Sequence, residues 1–136
     1  MVLTQDQKMK ISSKSENMIL VERMIEDVCD LFEVGEDNFG NILIAVTEAV
    51  NNAIQHGNKF DASKNIQIWF KSSKNQISFV VQDEGVGFDY TAIPDPTSPE
   101  NIEKPHGRGI FLMNSLADKV EFEDNGKTVQ LFFNLN

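Results

Sequence analysis

The sequence predicts an α+β fold, an α/β sandwich in which a mostly antiparallel sheet is covered on one face by three helices. Two pairs of alternating segments carry the sheet. Ile66, Ile68 and Phe70, then Ile77, Phe79 and Val81, flank the short polar loop Ser72-Ser73-Lys74-Asn75. Val120 and Phe122, then Val129, Leu131, Phe133 and Leu135, flank Asp124-Asn125-Gly126-Lys127. Asn-Gly between alternating segments is the strongest short-range hairpin signal. The third observation is a change of period. Residues 15–32 and 41–56 repeat their apolar positions every three or four residues, as helices buried along one stripe do.

In chain order, residues 7–13 alternate weakly and predict a first strand. Residues 15–32 place Met18, Val21, Ile25, Val28, Leu31 and Phe32 on one helical face. Gly35 breaks that helix, and Asp37 or Asn38 is the expected cap of the next. The second helix carries Ile42, Val46, Val50, Ala53 and Ile54 as its stripe and meets a stop signal at Gly57-Asn58. The first hairpin comes next. Residues 88–106 hold all four prolines and show no periodicity, so they are expected to form a functional loop. A third helix resumes after His106-Gly107-Arg108-Gly109, with Ile110, Met113, Leu116 and Ala117 on one face, and the second hairpin closes the chain.

At 136 residues the chain reads as a single domain over 1–136, large enough to bury roughly two-thirds of its unfolded surface. Its net charge of −9 argues against a nucleic-acid or anionic-membrane surface. No apolar run approaches the roughly 20 residues of a membrane span, and no signal peptide is recognisable at Met1. One cysteine, Cys29, excludes an internal disulfide and fits a cytoplasmic location. An anionic ligand would have to be held by backbone amides, a metal and a few local cations.

Three stretches can carry chemistry. Glu48 and Asn52 are four residues apart and share a helical face. A carboxylate and a carboxamide together suit a hard cation, or a base with a positioning partner. Asp83-Glu84-Gly85-Val86-Gly87 comes directly after a strand, which puts a hydrogen-bond-accepting carboxylate beside two glycines that let a ligand approach the backbone. Gly107-Arg108-Gly109 opens a helix, whose free N–H groups and dipole favour phosphate. A dinucleotide-binding glycine fingerprint, a phosphate loop of the Gly-x-x-x-x-Gly-Lys type, a cysteine–histidine metal cluster and a Ser-His-Asp arrangement are all absent from the sequence.

In this order the three stretches resemble the N, G1 and G2 boxes of the GHKL (Bergerat-fold) ATPase/kinase superfamily. Glu48-Ala-Val-Asn-Asn52-Ala-Ile-Gln-His56-Gly57-Asn58 and Gly107-Arg-Gly-Ile-Phe-Leu-Met113 look most like the small anti-sigma-factor serine/threonine kinases of the RsbW/SpoIIAB type. The resemblance covers about residues 10–135. It implies a Bergerat-type, HATPase_c-like ATP-binding fold, with ATP and Mg²⁺ as cofactors and residues 88–106 as the ATP lid. Asn52 would coordinate Mg²⁺ and Glu48 would be the general base. Asp83 would take the adenine amine, helped by Thr128, with Gly85 and Gly87 shaping the pocket floor. His56 and Gly57 would border the site, and Gly107 and Gly109 would cradle phosphates. The family's arginine before the last glycine pair is matched by Lys104-Pro105-His106, so the cations on offer are Lys104 from the lid and Arg108 from within the pair. The implied function is phosphorylation of a STAS-type anti-anti-sigma protein and sequestration of a sigma factor, by a homodimer that binds neither nucleic acid nor membrane. A nucleotide-gated binding module with little or no phosphoryl transfer is the alternative, since both need the same pocket.

Overall fold

The computed structural model describes residues 8–86 and 105–135. Five strands form one sheet: β1 (Met9–Ser12), β2 (Asn65–Ser73), β3 (Gln76–Gln82), β4 (Lys119–Glu123) and β5 (Thr128–Asn134). Three helices accompany them: α1 (Met18–Leu31), α2 (Glu36–Asn52) and α3 (Pro105–Leu116). The strand order is β1-β2-β3-β5-β4, and every pairing is antiparallel. The predicted sheet with three helices is what forms. The weak alternation near residues 9–12 is a real strand, held on the edge of β2 with Ile11 opposite Ile66.

One parity of each central strand feeds the core. Ile66, Ile68 and Phe70 of β2, Ile77, Phe79 and Val81 of β3, and Val129, Leu131 and Phe133 of β5 are all buried. Against them pack Val21, Ile25 and Val28 of α1, Ile42, Val46 and Val50 of α2, and Ile110 and Met113 of α3. Burying a side chain of this size stabilises by about 1.5–3 kcal/mol, so these positions hold the layers together. Phe32 seals the α1 end edge-on against Phe70, with ring centroids 5.9 Å apart.

Two local expectations are corrected. The cap of α2 is Gly35, not Asp37 or Asn38; its carbonyl accepts from the Phe39 N–H at 2.8 Å, and Glu36 and Asp37 instead place negative charge in the first turn. The third helix begins at Pro105, so Pro105 and His106 are helical rather than the end of a loop. Proline suits a first helical position because its missing N–H would find no partner there. The lid expected over 88–106 otherwise lies outside the described residues.

Candidate active site

The apolar stripe of α2 is buried, which leaves Glu48 and Asn52 half-buried on its flank, one turn apart. They meet Gly109 of α3. A Cβ on Gly109 would lie 3.1 Å from Glu48 Oε2, 3.1 Å from Asn52 Nδ2 and 3.2 Å from Asn52 Oδ1. The α3 backbone therefore abuts both polar groups, as closely as a residue without a side chain allows. Gly107 and Arg108 fall in the first turn of α3, whose N–H groups have no partner within the helix. Gly87 and Lys104 lie outside the described residues.

Beyond Asn52 the helix does not stop at once. Ala53–Gly57 form a π-helical turn, closed by the Asn58 N–H donating to the Ala53 carbonyl at 2.8 Å. Such turns insert an extra residue and re-aim the next stretch of chain. Here the turn brings Gly57 against the end of β3. A Cβ on Gly57 would run into the Asp83 carboxylate, and even Oδ1, the farthest of its three nearest atoms, would be 2.9 Å away. A Cβ on Gly85 would strike the Gly57 carbonyl. Both glycines are there because backbone and carboxylate occupy the space.

Asp83 is 9% exposed. Its N–H donates to the Lys127 carbonyl at 2.9 Å, and its Oδ1 accepts from the Gly85 N–H at 2.8 Å. Burial pushes its carboxyl pKa above the ordinary aspartate range, outweighing the Gly85 N–H and the charges of Lys127 and Lys64. Above it opens a cavity of about 230 Å³. Ala49, Asn52, Ala53, His56 and Gly57 form one wall; Val81, Asp83 and Val129 form the floor; Met113, Phe122, Gly126 and Lys127 close the far side. Burial lowers the His56 pKa, so its imidazole is neutral at neutral pH. An apolar slot with one buried carboxylate at its base suits a flat ring carrying an amine donor. Asn52 stands at one end of that slot, with Glu48 and the α3 backbone beside it.

Thr128 does not join Asp83. Its hydroxyl donates to Asp124 Oδ2 at 3.0 Å and accepts from Gln82 Nε2 at 3.2 Å. Strand alternation instead turns its neighbour Val129 into the cavity. Among the described residues no group of three or more His, Cys, Asp or Glu side chains could hold a metal. Mg²⁺ needs no such cluster, because it keeps several waters and binds through one or two protein oxygens plus substrate phosphates, and the Asn52 amide oxygen at the cavity wall is a donor of that kind. Sequence reasoning missed Lys127, Phe122 and Met113 as cavity residues. The Asp124–Lys127 turn signalled a hairpin but carried no sign that it would border a site.

The sequence profile described as the histidine kinase-like ATPase domain matches residues 11–133. The chain is 31% identical over 129 residues to the serine-protein kinase RsbW of Bacillus cereus strain AH820, a match covering 90% of this chain and 80% of that protein. The RsbW proteins of Bacillus anthracis and of Bacillus thuringiensis strain Al Hakam are similar to the same extent. The fold also matches the crystal structure of the RsbU and RsbW domains of Rv1364c from Mycobacterium tuberculosis, with a TM-score of 0.62 at 14% identity. That match covers 94% of this chain and 31% of the other. No helix among the described residues is long and apolar enough to cross a membrane. The chain belongs to the histidine kinase-like ATPase domain family, in its group of RsbW-type serine-protein kinases.

Proposed function

We propose that the protein binds ATP with Mg²⁺ in this slot and transfers the γ-phosphoryl group to a serine or threonine of a small STAS-type anti-anti-sigma protein, and that its second partner is a sigma factor. One observation carries the reading: Glu48 and Asn52 converge on Gly109, beside a slot floored by the buried Asp83. Asp83 accepts a hydrogen bond from the adenine amine, and the lack of a side chain at Gly57 and Gly85 gives that carboxylate and the Gly57 carbonyl their places. His56 borders the slot. Asn52 would hold Mg²⁺ through its amide oxygen, and the ion would supply the positive charge that offsets the phosphates. The first turn of α3, with Gly107, presents N–H groups and its positive dipole end to the phosphates. Gly109, one residue beyond that turn, keeps the helix surface bare of a side chain there. Arg108 and Lys104 supply the local cations. Glu48 takes the proton from the incoming hydroxyl as its oxygen attacks the γ-phosphorus, and ADP leaves.

The reading is that of a cytoplasmic protein of one domain that acts as a homodimer. The absence of a membrane-crossing helix among the described residues fits this. So does the place of β1 as the terminal strand of the sheet, which leaves a ladder edge for a second copy. Incubation with γ-labelled ATP, Mg²⁺ and a candidate STAS antagonist tests the function. Label is expected on a serine or threonine of the antagonist. ATP binding without any transfer would overturn the kinase reading and leave a nucleotide-gated binding module.

A further inference from the structure

Asn58 closes the motif that begins at Glu48, and phosphoryl transfer as described gives it no part. It is 1% exposed, and its polar atoms are all used. Its backbone N–H closes the π turn on Ala53, and its carbonyl accepts from the Asp61 N–H at 3.0 Å. Its side chain Nδ2 donates to Ser13 Oγ at 2.8 Å and to the Asn65 carbonyl at 3.1 Å. Its Oδ1 accepts from the Glu84 N–H at 2.8 Å. The same cluster is tied twice more. Ser13 Oγ donates to the Lys64 carbonyl at 2.7 Å, and the Asn65 N–H donates to the Glu84 carboxylate.

The Glu84 bond decides what this hub can do. Three consecutive N–H groups lead out of β3, and each is fixed by a different partner. Asp83 is held by the Lys127 carbonyl, Glu84 by the Asn58 side chain, and Gly85 by the Asp83 carboxylate itself. The outer two fix where Asp83 leaves the strand and how its carboxylate turns. The middle one fixes the peptide between them, and its partner lies one residue beyond the glycine that faces that carboxylate. We propose that Asn58 is a positioning residue for nucleobase recognition: it sets the Asp83 carboxylate against Gly57. Through Ser13, the residue after β1, it also makes that setting depend on the seating of the edge strand. The inference rests on the nucleotide reading of the slot.

A buried amide that merely stabilised the fold would affect every nucleotide alike. A positioning residue for Asp83 would affect adenine and not guanine held in the same pose, where a 6-oxo acceptor faces the carboxylate in place of the 6-amine donor. The test measures Kd for ATP and for GTP by competition with a fluorescent ATP analogue, together with kcat and KM for transfer. Asn58→Ala is expected to weaken ATP binding about tenfold, the scale of one buried hydrogen-bonded contact. GTP affinity should stay nearly constant, so the ATP/GTP preference collapses; KM should rise while kcat at saturation stays within about threefold. Ser13→Ala removes one of the two Nδ2 acceptors and should shift the preference in the same direction by about two- to fivefold. It decides the matter if Asn58→Ala does not fold. An unchanged preference, or equal losses for ATP and GTP, overturns the positioning role. A wild-type protein that binds no ATP overturns the nucleotide reading first, and the two failures are distinguishable.

Discussion

Replacing Gly109 with alanine should separate stability from activity. Gly109 is the fifth residue of α3, a helix-interior position. Alanine there is worth about 0.5–1 kcal/mol over glycine from backbone entropy alone. Against this, the new methyl would sit 3.1 Å from Glu48 Oε2 and 3.1 and 3.2 Å from the two polar atoms of the Asn52 amide. Those are the ends of two half-buried side chains, which can swing aside by a few tenths of an ångström for roughly 0.5 kcal/mol. The net effect on stability is therefore between zero and about +0.5 kcal/mol, a rise in Tm of at most about 2 °C. The reaction tolerates the shift less well. A misplacement of about 1 Å costs on the order of 10²-fold in rate, so a few tenths at both the base and the metal position should cost about tenfold. Thermal unfolding, ATP calorimetry and single-turnover transfer on the same preparation read out all three quantities. A stably folded Gly109→Ala protein that transfers phosphoryl groups at the wild-type rate would show that the meeting point of Glu48, Asn52 and α3 is not the reaction centre.

Glu48→Gln keeps the shape of the base without its proton acceptance; ATP affinity should be nearly unchanged and transfer reduced by roughly 10²–10⁴-fold, measured with γ-labelled ATP. Asp83→Asn should weaken ATP binding by ~1.5–3 kcal/mol, read by calorimetry in Mg²⁺. It should also stabilise the nucleotide-free fold at neutral pH. The raised Asp83 pKa means the folded state binds its proton more tightly, so this contribution is full below the unfolded pKa and is lost as pH rises through the folded one. Urea melts from pH 4 to pH 7 should show that slope in wild type and not in Asp83→Asn. Cys29, 3% exposed with its thiol pKa pushed up to about 11 by burial and by Asp30, should react with a thiol reagent at pH 8 about a hundredfold more slowly than a free cysteine; unfolding should release it.

What could be read from the sequence was local. Alternation fixed the faces of β2, β3 and β5, and a four-residue spacing put Glu48 beside Asn52. The strand order was not available, because a hairpin signal states which segments are neighbours in sequence and not which edge docks. Nothing in residues 119–134 says that β5 rather than β4 lies against β3. The π turn was hidden too, since Ala53–Gly57 read equally well as ordinary helix; the contact of Gly57 with Asp83 is what the extra residue serves. Pro105 was misplaced because proline punctuates loops far more often than it opens helices. Thr128 failed on parity: in a strand, a single residue decides which face a side chain takes. Asn58 looked like punctuation because its partners Ser13, Asn65 and Glu84 are scattered along the chain.

The sheet order has a consequence for biosynthesis. A nascent chain emerges N-terminal end first. Helix α2 and strands β1, β2 and β3 can be made and begin to pair while β5 is still absent. Yet β5 lies inside the sheet against β3, and Lys127, one residue before it, supplies the carbonyl that holds the Asp83 backbone. Until that turn arrives, β3 has an open edge and Asp83 lacks both its anchor and the Val129 floor. The slot is thus among the last features to be completed during translation, and a chain cut short before residue 127 carries the Glu48–Asn58 motif without a site to bind in.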